Sequence, residues 1–326
     1  MKEKRHVFHE GVTMNKRMAY GVLLTVLVPS LSVQGFTITQ VTNNDYWDTN
    51  PRISGSNVVW VDNEEASPKN INFFDGTSIT KVGFGEDPDV SEPSVVWENE
   101  QIFWYDGTSV HQLTNSGGSP ARPRISGNYI VWIESAGNTP SGPPQIMLYD
   151  IATGTTLQIT NDPLYNYKTD PAVSGTRVVW GAEYKIDYYD ILTGQTGTIV
   201  ELGDTWIDQV AISGDNVVWG DGTRVWLYDG TSTTYLGDGA NADVSDSYVV
   251  WAKGYALYFY DIAAGQTHKL TDLTAYPSNP RISGSTVVWS ATDGHDPEIY
   301  MATIPEPASL LLFLGVGVAI LRRVRP

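Results

Sequence analysis

PRISGNYIVWIES, Pro123–Ser135, is followed after a loop by QIMLYDIATGTTLQIT, Gln145–Thr160, and the pattern of these two runs decides the fold. A Pro-x-Ile-Ser segment meets Gly127-Asn128, a pair that tolerates the positive φ of a tight turn. Tyr129–Glu134 is rich in aromatic and β-branched residues, which suit a pleated strand. Gln145–Asp150 alternates, placing Ile146 and Leu148 on one face and Met147 and Tyr149 on the other. A further short strand, Thr156–Thr160, follows the turn from Asp150 to Gly154. The unit is therefore four short strands joined by turns.

The same unit recurs along the chain. Its Trp falls at Trp60, Trp97, Trp132, Trp180, Trp219, Trp251 and Trp289, at intervals of 32 to 48 residues. A period near forty with several short strands per period predicts a β-propeller, here all-β and seven-bladed with four-stranded blades. The seventh copy has three strands and then reaches Pro305, whereas Thr37–Thr42 precedes the first Pro-Arg-Ile-Ser as an orphan strand. The N-terminal strand is expected to complete the last blade and leave no open sheet edge in the ring. The Trp of each unit is expected to pack between sheets. The Asp of each Tyr-Asp pair (Asp75, Asp106, Asp150, Asp190, Asp229, Asp261) is expected to form a turn by accepting backbone N–H groups.

The chain has 326 residues, no Cys and a net charge of −17. Without Cys there is neither a disulfide framework nor thiol chemistry. Three segments are expected: an export signal over 1–35, the propeller over 36–304 and a sorting tail over 305–326. Lys16 and Arg17 precede the apolar run Met18–Leu31, and Val33-Gln34-Gly35 suits a signal peptidase. A membrane anchor is the other reading of this run. Excluding residues outside 36–304 leaves 12 Lys and Arg against 34 Asp and Glu, a net of −22. Such acidity disfavours nucleic acid as a partner, because phosphate contacts need Lys and Arg.

At the C-terminus, Pro305-Glu306-Pro307 leads into the apolar Ala308–Leu321 and then Arg322, Arg323 and Arg325. This three-part ending resembles the PEP-CTERM sorting signal. The resemblance implies transient membrane insertion of the helix and recognition by an exosortase-type enzyme in a Gram-negative envelope. It also implies delivery to the cell surface or extracellular matrix. The repeats over Phe36–Ile304, with their Leu-Thr ends and following Pro-x-Ile-Ser-Gly, resemble the TolB-like propellers. That resemblance implies the fold and not an activity.

Strands that run alternately up and down sort the connections onto two faces. The turns after the first and third strands are short and uniform. Those after the second strand and between blades are expected to be long and irregular, as in Val61–Asn70, Ser135–Pro144, Asn161–Asp170, Gly203–Asp208 and Ser290–Pro297. Binding usually resides on such loops. The candidate ligand-binding residues on and around this face are Trp47, Asp48, Asp87, Arg122, Tyr165, Tyr167, Asp170, Trp206, Asp208 and Tyr276. An aromatic ring can stack on the C–H face of a pyranose while carboxylates and amides take its hydroxyls. The same rings would alternatively cap the core between blades.

Residues flanking the first strand should line the central channel. An outer set is Asn50, Asp87, Arg122, Asp170, Gln209, Asn241 and Asn279, and an inner set is Arg52, Asp89, Arg124, Ala172, Ala211, Asp243 and Arg281. Mixed charges there suit either a polar ligand or a self-satisfied ring of ion pairs. Asp293 and Asp296 are the metal-ligating candidates, with calcium the cation that carboxylates admit. Enzyme chemistry finds little footing: His111, His268 and His295 lie in different repeats, and no G-x-S-x-G elbow or phosphate loop is present. The expectation is a non-enzymatic binder of extracellular polysaccharide or a matrix component. An envelope-protein scaffold is the alternative, and a polysaccharide lyase or glycosidase a third.

Overall fold

A computed structural model describes residues 31–33, 36–64, 68–162, 168–271 and 276–305. The chain forms a seven-bladed β-propeller of antiparallel sheets, with one short 3-10 turn, Ala136–Asn138, as the helical element among the described residues. The third blade shows the plan: Ala121–Ser126, Tyr129–Ser135, Pro144–Asp150 and Thr155–Gln158 pair in sequence order. Ile146 and Leu148 are buried in it, as the alternation requires.

Ring closure follows the expected route. Phe36–Gln40 pairs with Pro297–Thr303 in the seventh blade, in the register Ile38↔Ala302, Thr39↔Met301 and Gln40↔Tyr300. A three-residue strand, Leu31–Val33, pairs in turn with Phe36–Ile38, so this blade has five strands rather than four. The rest of the expected export segment and residues 306–326, with Glu306, Pro307, Arg322 and Arg323, lie outside the described residues, as do Tyr165 and Tyr167. Among the described residues no helix is long and apolar enough to cross a membrane.

The core is divided among the blade interfaces. All seven repeat Trp residues are at most 4% exposed. Trp97 packs on Val59, Val61 and Ile71 of the blade before it, and Trp60 packs on Val288 and Ile299 of the last blade. Close packing extends to the backbone. A Cβ on Gly239 would lie 2.3 Å from Trp251 Cδ1, and its φ of +147° also favours glycine.

The Ser at the end of each innermost strand, the Ser of Pro-x-Ile-Ser in three blades, stitches each blade to the next. Its Oγ accepts an N–H from Gly55 (Ser283, 2.9 Å), Glu92 (Ser54, 3.4 Å), Gly127 (Ser91, 2.9 Å), Gly175 (Ser126, 3.1 Å) and Gly214 (Ser174, 3.1 Å). At the two other junctions Ser213 Oγ donates to Asp246 Oδ1 and Ser245 Oγ to the Gly284 carbonyl. The bonds run round the ring, including from the last blade to the first. The Tyr-Asp carboxylates form turns as expected: Asp106 Oδ1 accepts from the N–H groups of Thr108 and Ser109, at 2.8 and 2.7 Å. These bonds hold the Asp75 and Asp106 carboxyls well below the usual range; the largest contributions come from the Thr77 and His111 side chains respectively.

Candidate functional site

In five blades the innermost strand carries a bulge at one place, between Thr49 and Arg52, Glu86 and Asp89, Ala121 and Arg124, Ala240 and Asp243, and Ser278 and Arg281. The bulged residue is left-handed: Asn50, Asp87, Arg122, Asn241 and Asn279 have φ of 48° to 57°. Asn and Asp accept this conformation more readily than Arg, for which it costs roughly 1–2 kcal/mol. In four of the five a Pro follows, which disfavours the right-handed region for the residue before it. The rim groups pair across blades. Asn279 Nδ2 donates to Asn50 Oδ1 at 2.8 Å, and Arg122 Nη1 donates to Asp170 Oδ1 at 2.7 Å. Two of the sequence candidates, Arg122 and Asp170, are therefore brought together and occupied with one another.

Below the rim is a cavity of about 530 Å³, lined by all seven residues of the inner set. Its charged groups are largely wired into the ring. Asp89 Oδ2 and Asp243 Oδ2 accept from the N–H of Ile125 and Ile282 in the following blades, each at 2.9 Å. Arg124 Nη2 donates to Asp170 Oδ2 at 3.2 Å, and its Nη1 to the Pro123 carbonyl at 2.7 Å. Burial, then repulsion from Arg124 and Arg281, pushes Arg52 down to about 9. Burial raises Asp243 against the pull of Arg281. Burial also acts to raise Asp170, but Arg124 and Arg122 outweigh it and leave its carboxyl below the ordinary range. Three guanidiniums, Arg52, Arg124 and Arg281, share the channel with four carboxylates, Asp89, Asp170, Asp243 and Asp246, the last held by Ser213 Oγ at 2.6 Å.

The opposite character belongs to the loop face. Trp47, Trp206 and Tyr276 are 58%, 45% and 63% exposed, so these rings do not cap the core. Tyr46, Tyr184 and Tyr255 are exposed on the same face. The rings associate: Tyr184 meets Trp206 edge-on at 6.2 Å, and Tyr255 meets Tyr276 at 4.6 Å, with their hydroxyls 3.3 Å apart. Tyr184 and Tyr255 escaped the sequence reading because the connections after second strands were expected to be long. In the fourth and sixth blades they are two-residue turns, Glu183-Tyr184 and Gly254-Tyr255, whose first residue has φ of 53° and 58°. An aromatic in the second position of a tight turn has no sheet face to occupy, and that was the available signal.

Other candidates fare differently. Asp208 is exposed and Asp87 half-buried on the rim. Asp48 is not a surface ligand group. It is fully buried, accepting from Trp60 Nε1 and Asn44 Nδ2 at 2.8 Å each, and burial raises its carboxyl. Its role is to satisfy the buried indole N–H where the ring closes.

Asp293 and Asp296 converge with a residue the sequence reading missed, Glu298; one oxygen of each lies within 4.8 Å of the others. Glu298 is fully buried, and burial raises its carboxyl to about 7 although hydrogen bonds from Thr42 and Asn44 act the other way. It escaped notice because it opens a strand whose other blades carry neutral or basic residues there.

No family model and no curated protein matches the chain. Solved structures do. An oligogalacturonate lyase in complex with manganese aligns with a TM-score of 0.64 at 12% identity, over 87% of this chain and 96% of that one. The β-propeller domain of the trilobed protease from Pyrococcus furiosus aligns at 0.60 and 11% identity, over 81% and 97%. The Cps50 propeller domain of Myceliophteria thermophila aligns at 0.57 and 10%, over 82% and 100%. These structures include both enzymes and isolated propeller domains, and at such identities what they share with this chain is the β-propeller fold.

Proposed function

We propose that the protein is an exported, non-enzymatic binding propeller that holds an extracellular polysaccharide or matrix component on its aromatic loop face. The observation that carries this reading is that Tyr46, Trp47, Tyr184, Trp206, Tyr255 and Tyr276 are all exposed in connections of one face, four of them in two contacting pairs. Paired edge-on rings offer flat apolar platforms to sugar C–H faces, and hydroxyls and loop carboxylates beside them suit sugar hydroxyls. The export segment, the PEP-type tail and the expected exosortase partner agree with a cell-surface destination. The separation of the His residues supports a binder over an enzyme. His111 bonds to Asp106 at 2.8 Å on one outer strand, His268 stacks on Phe259 in another blade, and His295 is exposed in a turn.

The test is binding of the purified full chain to a panel of bacterial polysaccharides. Replacing Trp47 and Trp206 together by Ala is expected to weaken binding roughly tenfold or more, with unchanged melting because both rings are exposed. Unchanged affinity would remove these loops from the site. No binding to any glycan, with capture of one defined envelope protein, would replace the reading by a protein scaffold. Release of product from a polysaccharide would replace it by an enzyme.

A further inference from the structure

The cluster at the ring closure is unlike the rest of the acidic surface. Asp293 is exposed, but Asp296 is 6% exposed and Glu298 is fully buried. Asp296 Oδ1 is buried and has no hydrogen-bond partner among the described residues. Among the described residues no Lys or Arg pairs with any of the three. Buried carboxylates are costly unless something positive compensates them.

In the second and third blades the residue in the place of Glu298 is Gln101 or Gln145. The Thr ending the outer strand donates to its Oε1 at 2.8 Å, from Thr114 and Thr160 respectively. In the last blade Thr42 donates to Glu298 in the same manner, and the Asn44 N–H donates to its other oxygen at 2.8 Å. A Gln would serve that structural bond. Where the second and third blades have an amide NH₂, this blade has a second carboxylate oxygen, and it is the blade that also presents Asp293 and Asp296.

We propose that Asp293, Asp296 and Glu298 form a divalent-cation site, with calcium as the ion, that locks the N-terminal strand into the last blade. Oxygens on opposite sides of an ion with bonds of about 2.4 Å stand about 4.8 Å apart, so the cluster has the reach of a calcium shell. Calcium accepts an irregular set of carboxylates completed by water, whereas magnesium demands near-octahedral geometry and dehydrates reluctantly. Asp293, exposed in its turn, gives the ion a way in. Because Glu298 is held by Thr42 and Asn44, just beyond Phe36–Gln40, occupancy of the site acts on the strand that closes the ring. This site is independent of the polysaccharide reading.

The test uses the full chain, melted after chelator treatment and again in about 1 mM calcium, a concentration suited to extracellular sites. Calcium is expected to raise Tm by about 3 °C or more, and isothermal titration with calcium alone should give one site. Glu298→Gln restores the residue of the second and third blades, so it should fold, match or exceed the wild type in chelator, and lose the calcium shift. Asp296→Asn should also lose it. The proposal is overturned if the wild type shows no calcium shift, or if Glu298→Gln keeps it in full. An equal shift with magnesium overturns the assignment to calcium.

Discussion

Replacing Phe36 by Ala tests whether the N-terminal strand holds the ring. Phe36 is 4% exposed, meets Phe259 edge-on at 5.9 Å, and shares a cluster with Leu270, Trp289, Ala302 and Ile304. Removing a buried Phe side chain costs its transfer free energy plus the cavity left behind, about 3–5 kcal/mol in total. Against a folding stability of about 5–15 kcal/mol, that is a large fraction. The assay is urea unfolding followed by tryptophan fluorescence, with the loss taken from the midpoint shift at a common slope. Leu157, 48% exposed on an outer strand, is the control; its Ala variant should stay within about 0.5 kcal/mol of wild type. A Phe36→Ala loss below about 1 kcal/mol, or one equal to the control's, would refute the argument that this strand closes the propeller.

The buried tryptophans separate packing from hydrogen bonding. Trp60 Nε1 donates to buried Asp48, whereas Trp219 Nε1 has no partner among the described residues. Trp60→Phe should therefore cost at least about 1 kcal/mol more than Trp219→Phe, because it strips a donor from a buried carboxylate; equal losses in denaturant titrations would contradict this. In the channel, Asp170→Asn removes the carboxylate shared by Arg122 and Arg124. With Asp170's side chain 37% exposed, the loss at neutral pH is about 1 kcal/mol. Its folded pKa lies below the unfolded value, so its stabilisation is full above about pH 4 and is lost as pH falls through the folded value. The variant should show a shallower loss of stability below about pH 4 than wild type; parallel acid limbs would count against it.

Much of the architecture was legible because it is local. A strand, a tight turn and the next strand occupy a dozen residues, so Trp132, Gly127 and Asp150 announce their roles within one repeat. Even the inner channel set could be read, since repetition places equivalent residues at equivalent radii. The site was less legible. Asp48 looked like a loop acid until Trp60 and Asn44 were seen to enclose it. Tyr184 gains meaning only beside Trp206, and Tyr255 only beside Tyr276, each from the following inter-blade loop.

By itself the sequence determined the number of blades, the strand that completes the last one, the turn-forming carboxylates and the core tryptophans. Those follow from periodicity and backbone preference, which act between near neighbours. Tertiary structure alone decided which carboxylates are buried, which aromatics pair, and what the repeated serine does. Ser283 meets Gly55 across 228 residues and Thr42 meets Glu298 across 256. Such contacts arise when the ring shuts, and no local pattern encodes a partner that only closure brings within reach.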